Sequence, residues 1–574
     1  MKASSLIASS GLLVATVYAQ SNRSPAIASN GTLLSVFMFH NHCDRTSLIL
    51  PDGTQGGSFG AEGATMCYTD GAYYWNKYLR KGSPLKIYGT SQIFNPEYMN
   101  AEVPNMDLSI QSAMAFMQGF YKPVDLQSSV TSGESMLAAD NSTFMNGPLQ
   151  GFQYAPITTY RSTDPQSIWI AGNLQQCTNQ KISSAQYYST DDYKEVLEES
   201  KPFFEALYEP YFAGVFEDYH MVFYYAYSLY DYVSQNRAAG NSTLLEMSDE
   251  DFDQLHAYAN HLQFNVYGNT TTSLNPNWVA ADQTKDLRDV GGRLIAGKIA
   301  RDFRTSISSP GGRANKINFV LSGYDIMLSF FAIANLPSRS SNFLGLPDLG
   351  SSMVFELYTD DETINTDHII SPETFKVAFG FRNGTSVDDT LTYWPLFDQD
   401  SDEFSMPYSD FLQKLDEVAV TSLGQWCNVC SAKLDFCQAT GPVNSPSGSN
   451  GGQNSSQRNG LAPAVAGVIG AIIMLALVGI AAAIAFLVFG VGVKRDRRRG
   501  SVLSNMSSIG RSQPKEKLES EIELPLSPTA QPMPRAFGDD NEFDYGTTST
   551  VATKVASPLA SPQEAHFKAW ESRL

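Results

Sequence analysis

The feature that most constrains this chain is an uninterrupted apolar segment near its C-terminal end. No charged residue lies between Arg458 and Lys494, and residues 464–493 consist of Ala, Val, Ile, Leu, Gly, Met and Phe. A helix of this length, at about 1.5 Å per residue, exceeds the roughly 30 Å hydrocarbon core of a bilayer. The alternative is a buried core helix, but core helices of this length normally carry polar positions. The segment therefore predicts a single transmembrane helix.

The flanking charges indicate the orientation of this helix. The run Lys-Arg-Asp-Arg-Arg-Arg occupies residues 494–499, directly after the apolar segment. Such basic clusters stay on the cytoplasmic side. Residues 494–574 are then a cytoplasmic tail, and their Ser, Pro and Glu content favours disorder. Candidate phosphorylation sites in the tail are Ser501, Ser527, Ser557 and Ser561.

The N-terminal end has the three parts of a secretory signal peptide. Lys2 is positively charged, a short apolar core follows, and Ala19 precedes the natural cleavage point. We predict that residues 1–19 are removed and that residues 20–439 form an ectodomain outside the cell or in a lumen. Residues 440–463, rich in Gly, Ser and Asn, predict a flexible stalk. The plasma membrane is the expected location, with a vacuolar or endosomal membrane as the alternatives.

Glycosylation sequons fit this topology. Seven asparagines in the predicted ectodomain and stalk stand in Asn-x-Ser/Thr, the acceptor pattern of secreted proteins. They are Asn22, Asn30, Asn141, Asn241, Asn269, Asn383 and Asn454.

The cysteines fit an oxidising compartment. All six precede the apolar segment, and they are Cys43, Cys67, Cys177, Cys427, Cys430 and Cys437. Six cysteines allow three disulfides in fifteen possible pairings. The Cys427-x-x-Cys430 spacing also occurs in zinc and redox sites, but no second such pair or nearby His accompanies it. We therefore favour structural disulfides and expect no bound metal or cofactor.

Charge excludes one class of partner. The chain has a formal net charge of −20, and the predicted tail is nearly neutral, so the ectodomain carries almost all of the negative charge. An acidic surface of this kind repels phosphate backbones and anionic lipid headgroups. We expect no nucleic-acid partner, and the membrane is contacted through the transmembrane helix.

The order of apolar patterns predicts an α/β ectodomain. Residues 32–39 and 317–321 are short β-prone runs, and an apolar helical segment at 326–336 follows the second. Strand, loop and helix in this order are typical of a central sheet flanked by helices, with ligands at the loops after the strands. We place the core at about 31–120 and 285–437, split by a mostly helical insertion at about 121–284. Apolar residues recur at helical spacing in residues 69–78, 109–119, 215–234, 249–266 and 287–304.

A polar loop follows the first predicted strand. It contains His40, His42, Asp44 and Arg45. Taken alone, the loop is either an ordinary polar surface loop or the site of a His-x-His metal pair. No further ligand set stands out among the seven His of the chain.

The wider context resembles the histidine acid phosphatase family, which includes the phytases. The family has Arg-His-Gly-x-Arg-Thr after its first strand, and residues 41–46 read Asn-His-Cys-Asp-Arg-Thr. Its Leu-Thr-x-x-Gly helix start is similar to residues 68–72, and its Arg-Ser-Thr-Asp segment to residues 102–113. Its Ser-Gly-His-Asp is similar to residues 322–325, Ser-Gly-Tyr-Asp, and its Phe-Glu-Leu strand matches residues 355–357. The matches are in order and span nearly the whole ectodomain.

The resemblance implies a mechanism and roles for particular residues. In the family a His attacks phosphorus and forms a phosphohistidine, Arg side chains and a second His hold the phosphate, and an Asp protonates the leaving oxygen. His42 stands at the position of the nucleophile, Arg45 at the loop's second Arg, and Asp325 at the general acid.

Several phosphate-holding positions depart from the pattern. Asn41 replaces the first Arg, Glu102 the third Arg, and Tyr324 the second His. Losing one oriented charge donor costs about 10²–10³ in rate, and an acidic Glu102 would repel a phosphate. Arg80 or Arg313 are the candidates to compensate.

Three functions remain open. The first is a pseudophosphatase that uses the eroded pocket for ligand binding or surface sensing. The second is an active phosphoester hydrolase with altered specificity, in which His42 is the nucleophile. The third is a structural cell-surface glycoprotein. Whether the chain is an enzyme therefore stays undecided at this point.

Overall fold

The computed structural model describes residues 21–51, 54–123, 148–173, 177–269, 286–308, 314–360 and 372–440. The predicted signal peptide, transmembrane helix and tail, and the predicted stalk beyond residue 440, lie outside these ranges. Internal contacts divide the chain into residues 1–451 and 452–574, and every described residue belongs to the first unit. Among the described helices, none has the length and apolar character needed to span a bilayer.

A mixed eight-stranded sheet forms the centre of the described region. The strands are β1 Thr32–Asn41, β2 Met99–Pro104, β3 Thr158–Tyr160, β4 Ile317–Ser322, β5 Ser352–Thr359, β6 Phe375–Arg382, β7 Thr392–Trp394 and β8 Ser405–Pro407. Their order in the sheet is β3-β2-β4-β1-β5-β6-β7, and β8 pairs with β6. The strands from β3 to β1 run parallel, and those from β5 onward are antiparallel to their neighbours. The α/β class predicted from the sequence is confirmed for this region.

Helices cover both faces of the sheet and form the insertion. They are α1 Pro25–Ala28, α2 Ala61–Tyr78, α3 Asp107–Phe120, α4 Pro148–Gly151, α5 Ile168–Ala171, α6 Thr178–Tyr187, α7 Asp191–Leu207, α8 Ala226–Ala238, α9 Ser242–Leu245, α10 Asp249–Tyr267, α11 Val290–Ser308, α12 Tyr324–Ile333, α13 Tyr408–Val418, α14 Leu423–Val429 and α15 Asp435–Thr440. The helix predicted at 215–234 is wrong in its first half, because residues 218–220 and 223–225 form 3₁₀ turns and the α-helix begins only at Ala226.

The central strands bury side chains on both faces. Along β1, Phe37 and Phe39 pack into one apolar core with α11 and α12, whereas Val36 and Met38 pack into a second core with α2 and α3. This is the alternation that a strand covered on both sides requires. The helix after β1 and the helix after β4 therefore lie on opposite faces, although the two strands are neighbours. A crevice forms at the carboxyl ends of strands where the connections diverge in this way.

The predicted insertion at 121–284 is mostly helical in its described part, with one exception. Residues 177–267 form α6 to α10 around a third core that is rich in Tyr and Phe. The short strand β3, however, pairs in parallel with β2 and belongs to the main sheet. This strand was not predicted, because three residues carry too little alternation to be recognised.

Three disulfides tie these parts together. The pairs are Cys43–Cys67, Cys177–Cys430 and Cys427–Cys437. The first joins the loop after β1 to α2. The second joins the start of α6 to the end of α14, across a sequence separation of 253 residues. The Cys427-x-x-Cys430 pair is therefore split between two structural disulfides, as the preference for structural disulfides predicted.

Candidate functional site

His42 lies immediately after β1, at the carboxyl edge of the sheet. The last residue of β1 pairs with the last residue of β4, Asn41 with Ser322. Because α12 begins at Tyr324, only Gly323 separates β4 from that helix. The loop after β1 and the start of α12 therefore meet at the crevice, which brings the regions of His42 and Asp325 to the same edge of the sheet.

The imidazole of His42 is held in a neutral form. Its Nδ1 lies 3.0 Å from the carbonyl oxygen of Cys43, and the Cys43 amide donates to Ser112 Oγ at 3.3 Å. Burial and the nearby Arg45 charge lower the pKa of His42 to about 4, although the Cys43 carbonyl opposes the shift. If Nδ1 carries the proton that faces this carbonyl, the Nε2 lone pair is available as a nucleophile.

Arg45 is a buried cation whose charge is already matched. Its Nη2 donates to Asp231 Oδ1 at 2.8 Å, and both side chains are about 5% exposed or less. The backbone amide of Leu48 donates to the other carboxylate oxygen of Asp231 at 2.7 Å. The Arg45 charge also acts on Tyr227, where it lowers the pKa of the phenol against the raising effect of burial. A guanidinium and a backbone amide form an anion-binding pair, and Asp231 of α8 occupies it.

Asp325 lies in the first turn of α12 and is 5% exposed. Burial raises the pKa of this carboxyl, while the amide of Asn173 and the backbone amides at the helix start oppose the shift. Asn173 donates to Oδ2 of Asp325 through its Nδ2. A carboxyl with a raised pKa can remain protonated at mildly acidic pH, which is the property of a general acid.

Tyr324 links α12 to the helical insertion. Its hydroxyl donates to Gln263 Oε1 of α10 at 2.9 Å. Its ring centroid lies 5.4 Å from that of Tyr227. Burial raises the pKa of Tyr324 above its ordinary value. A neutral tyrosine adds no positive charge, and its one hydroxyl hydrogen is already donated to Gln263.

Asn41 is buried at the end of β1, with 1% of its surface exposed. Its Nδ2 donates to the carbonyl oxygen of Asp348 at 3.3 Å. Its Oδ1 has no hydrogen-bond partner within the described part of the chain. The neutral amide supplies no positive charge, and the fold already uses its Nδ2 as a donor.

The prediction that Glu102 lies in the His42 pocket is wrong. Glu102 is paired with Val320 in the sheet, and Val320 in turn with Phe39. It therefore lies two strands across and three residues back from His42, about 10 Å in each direction. Its carboxylate instead contacts Lys298 of α11 and accepts a hydrogen bond from Tyr160 at 3.0 Å.

Arg80 does not replace the phosphate-holding arginines that the sequence lacks. It is exposed beyond the end of α2, and the segment after it returns to the start of β1, where Tyr88 donates to the carbonyl of Leu33 at 2.8 Å. Nine residues of extended chain separate Leu33 from His42, about 30 Å. Arg313 lies outside the described residues.

His40 does not join His42 in a metal site. It is 1% exposed, and its Nδ1 lies 3.0 Å from Asp70, which also contacts Arg382. Its ring packs against Tyr74 and Phe116 in the core beneath the crevice. In the described ranges, no group of three or more His, Cys, Asp or Glu side chains is arranged to hold a metal ion.

Sequence reasoning missed the residues that the insertion contributes. Asp231, Tyr227 and Gln263 lie on α8 and α10, about 180 to 220 positions from Arg45 along the chain. No local motif marks them, since each is an ordinary polar residue on an amphipathic helix. Asn173, in the turn after α5, was missed because no local motif marks it either.

Five of the seven sequons lie in the described residues. Asn22, Asn30 and Asn383 are exposed, and Asn241 and Asn269 are half-buried. The side chain of Asn383 is engaged in the fold, because its Oδ1 accepts from Ser351 Oγ at 2.9 Å and its Nδ2 donates to Asp348 Oδ2 at 3.1 Å. Asn141 and Asn454 lie outside the described ranges.

No protein-family model and no curated protein matches the sequence. Among solved structures, the chain is similar to the apo form of Hafnia alvei phytase, with a TM-score of 0.43 and 11% identity, over 71% of this chain and 99% of that one. For D. castellii phytase the TM-score is 0.40 and the identity 12%, over 73% and 87%. For Bifidobacterium longum multiple inositol polyphosphate phosphatase, in complex with inositol hexasulfate, the values are 0.36 and 10%, over 71% and 99%.

Proposed function

We propose that the ectodomain is a pseudophosphatase, a phosphatase-like domain used for ligand binding or surface sensing. The observation that carries this proposal is the contact between Arg45 and Asp231. Arg45 is the cation beside His42, and a buried carboxylate of the same chain holds it at 2.8 Å. The Asp231 carboxylate therefore already occupies the anion-binding pair formed by Arg45 and the Leu48 amide.

The charges around His42 support the same proposal. Arg45 and Asp231 cancel, His42 is neutral above its pKa of about 4, and Asp325 is neutral or negative. A phosphate dianion would enter a pocket with no net positive charge and would have to displace Asp231. Each missing oriented donor costs about 10²–10³ in rate, although such losses are not additive within one site.

We further propose that this domain is anchored in the membrane by residues 464–493, with residues 494–574 in the cytoplasm. The support is the sequence: an apolar segment long enough to cross a bilayer, followed by a basic cluster. A tethered domain with a weak phosphate site fits binding or sensing at a surface. Small-molecule or phosphoester ligands are the expected partners.

A second candidate function is an active hydrolase with altered specificity. The observation in its favour is that a neutral His42 and a buried Asp325 with a raised pKa are both retained. These two groups are what a phosphohistidine mechanism needs for attack and for leaving-group protonation. A purely structural glycoprotein, the third possible function, would need neither a neutral His42 nor a buried Asp325.

Hydrolysis of p-nitrophenyl phosphate across pH 4–7 distinguishes the first two functions. We expect the full-length protein, purified in detergent, to show no more activity than its His42→Ala variant, because phosphate is not held beside His42. Ser29→Ala, an exposed hydroxyl change remote from the crevice, serves as the preparation control. Activity in the wild-type protein that disappears in His42→Ala would overturn the pseudophosphatase proposal.

A further inference from the structure

A second polar groove lies along α11, lined by residues distinct from those of the His42 site. Its cavity is about 350 Å³, and its lining includes Trp169, Arg301, Arg304, Thr305 and Thr421. We call it the Arg301 groove. Its volume is at the lower end of the range for small-molecule pockets.

Arg301 has hydrogen-bonding capacity that the fold does not use. Its guanidinium stacks over the indole of Trp169, 4.6 Å from the ring centroid. Its closest carboxylate contact is weak, with Nε 3.7 Å from Asp302 Oδ1, and the side chain is 41% exposed. Its two terminal nitrogens donate to no residue in the described ranges. The stack holds the flat guanidinium in one orientation, which lowers the entropy cost of binding an oxyanion.

Arg304 supplies a second guanidinium one helical turn away. It is paired with Asp416 at 2.6 Å, but both side chains are nearly half exposed. An exposed pair of this kind contributes little to stability. A ligand oxyanion can therefore exchange with Asp416 at small cost, in contrast to the buried Asp231 at Arg45.

Gly297 allows the other wall of the groove to approach. A Cβ at this position would lie 2.3 Å from the carbonyl oxygen of Val420, and the Val420 amide donates to the carbonyl of Arg293 at 3.0 Å. The segment that contains Val420 and Thr421 therefore packs directly against α11, and Thr421 lies at the edge of the groove. The hydroxyl oxygens of Thr421 and Thr305 add polar atoms to a lining that already contains two guanidinium groups.

We propose that the Arg301 groove binds the oxyanion of a phosphorylated or sulfated small molecule. Two guanidinium groups on one face of a helix match the oxygens of such a group, and the remaining volume accommodates an attached sugar-sized body. The proposal does not depend on the function of the His42 site. The groove would be a local binding surface for anionic ligands on a chain that is otherwise acidic.

Calorimetric titration of the full-length protein in detergent tests this site. The probes are D-glucose 6-phosphate, D-glucose 6-sulfate and inorganic phosphate, with D-glucose as the uncharged control. We expect the charged probes to bind and Arg301→Gln to weaken binding about tenfold or more. Asp416→Asn, which frees Arg304, should strengthen it by up to about fivefold. The matched control is Arg237→Gln, since Arg237 stacks over Phe252 at 4.7 Å and pairs with Asp249 outside the groove.

The pattern of loss among the variants distinguishes binding in the Arg301 groove from binding beside His42. Binding that is lost in Arg301→Gln and kept in both His42→Ala and Arg237→Gln supports the groove. Binding that is lost in His42→Ala and kept in Arg301→Gln overturns the groove and also counts against a blocked His42 site. Absence of binding by the wild-type protein, or equal weakening by Arg237→Gln, overturns the groove alone.

Discussion

Replacing Lys298 with Met is expected to destabilise the folded domain by about 3–5 kcal/mol at pH 7, because it leaves two buried carboxylates without their cation. Lys298 is 1% exposed and contacts both Glu102 and Asp302, the latter at 2.8 Å. Met fills a similar volume, so the loss reports the charge rather than a cavity. The free energy of unfolding of the purified protein in denaturant is the measurement.

Lys414→Met is the matched control. Lys414 lies 3.7 Å from Glu417 and 3.9 Å from Asp398 but is 40% exposed, so we expect a change of less than about 1 kcal/mol. The loss in Lys298→Met should shrink toward pH 4.5. Without the ammonium, burial raises the pKa of Glu102 and Asp302 above their unfolded values, and protonation then relieves the cost in the folded state. A loss that is small, or that grows on acidification, would contradict this reading of the cluster.

Removing the Cys177–Cys430 disulfide should also have a large effect. This bond closes a loop with a sequence separation of 253 residues, whereas Cys427–Cys437 closes one of 10. Loop-closure entropy predicts losses of about 5 and about 3 kcal/mol when the respective pairs are replaced by Ala. Unfolding in denaturant of the two double variants measures the difference.

The two variants control for each other, since both remove one disulfide near α14. Equal losses, or a larger loss for Cys427→Ala with Cys437→Ala, would show that local packing rather than chain entropy sets the contribution. The order of the two losses is informative because Cys177–Cys430, which closes the longer loop, joins the helical insertion to the end of the described chain. Its loss should therefore loosen α6 before it affects β1.

The elements with long apolar patterns were predictable from the sequence. The strands that contain Phe37 and Phe319 and the helices that begin at Asp107 and Asp249 were predicted to within a few residues, because buried faces repeat at a fixed spacing. The crevice followed from the strand–loop–helix order. Short elements such as β3 and the 3₁₀ turns before α8 carry too few residues for such a pattern.

The partners in the site were not predictable for a different reason. The loop residues His42 and Arg45 follow a strand and belong to a recognisable motif. Asp231 reaches Arg45 from a helix 186 positions away, and only the packing of the insertion brings the two together. The position of Glu102 was not predictable either, because an ungapped match identifies the strand but not how far along the strand a residue lies.

We propose that phosphate does not bind beside His42 because Asp231 already pairs with Arg45. NMR of the His42 imidazole tests this most directly, in the full-length protein with labelled histidines and with His42→Gln to assign the signal. In the wild-type protein we expect millimolar phosphate to leave the His42 resonances and its pKa of about 4 unchanged. In Asp231→Asn, phosphate should shift the resonances saturably and raise the pKa of His42, since a bound anion stabilises the imidazolium. Asp249→Asn, the exposed pair of Arg237, should behave as the wild type. A saturable, micromolar response of wild-type His42 to phosphate would contradict the claim.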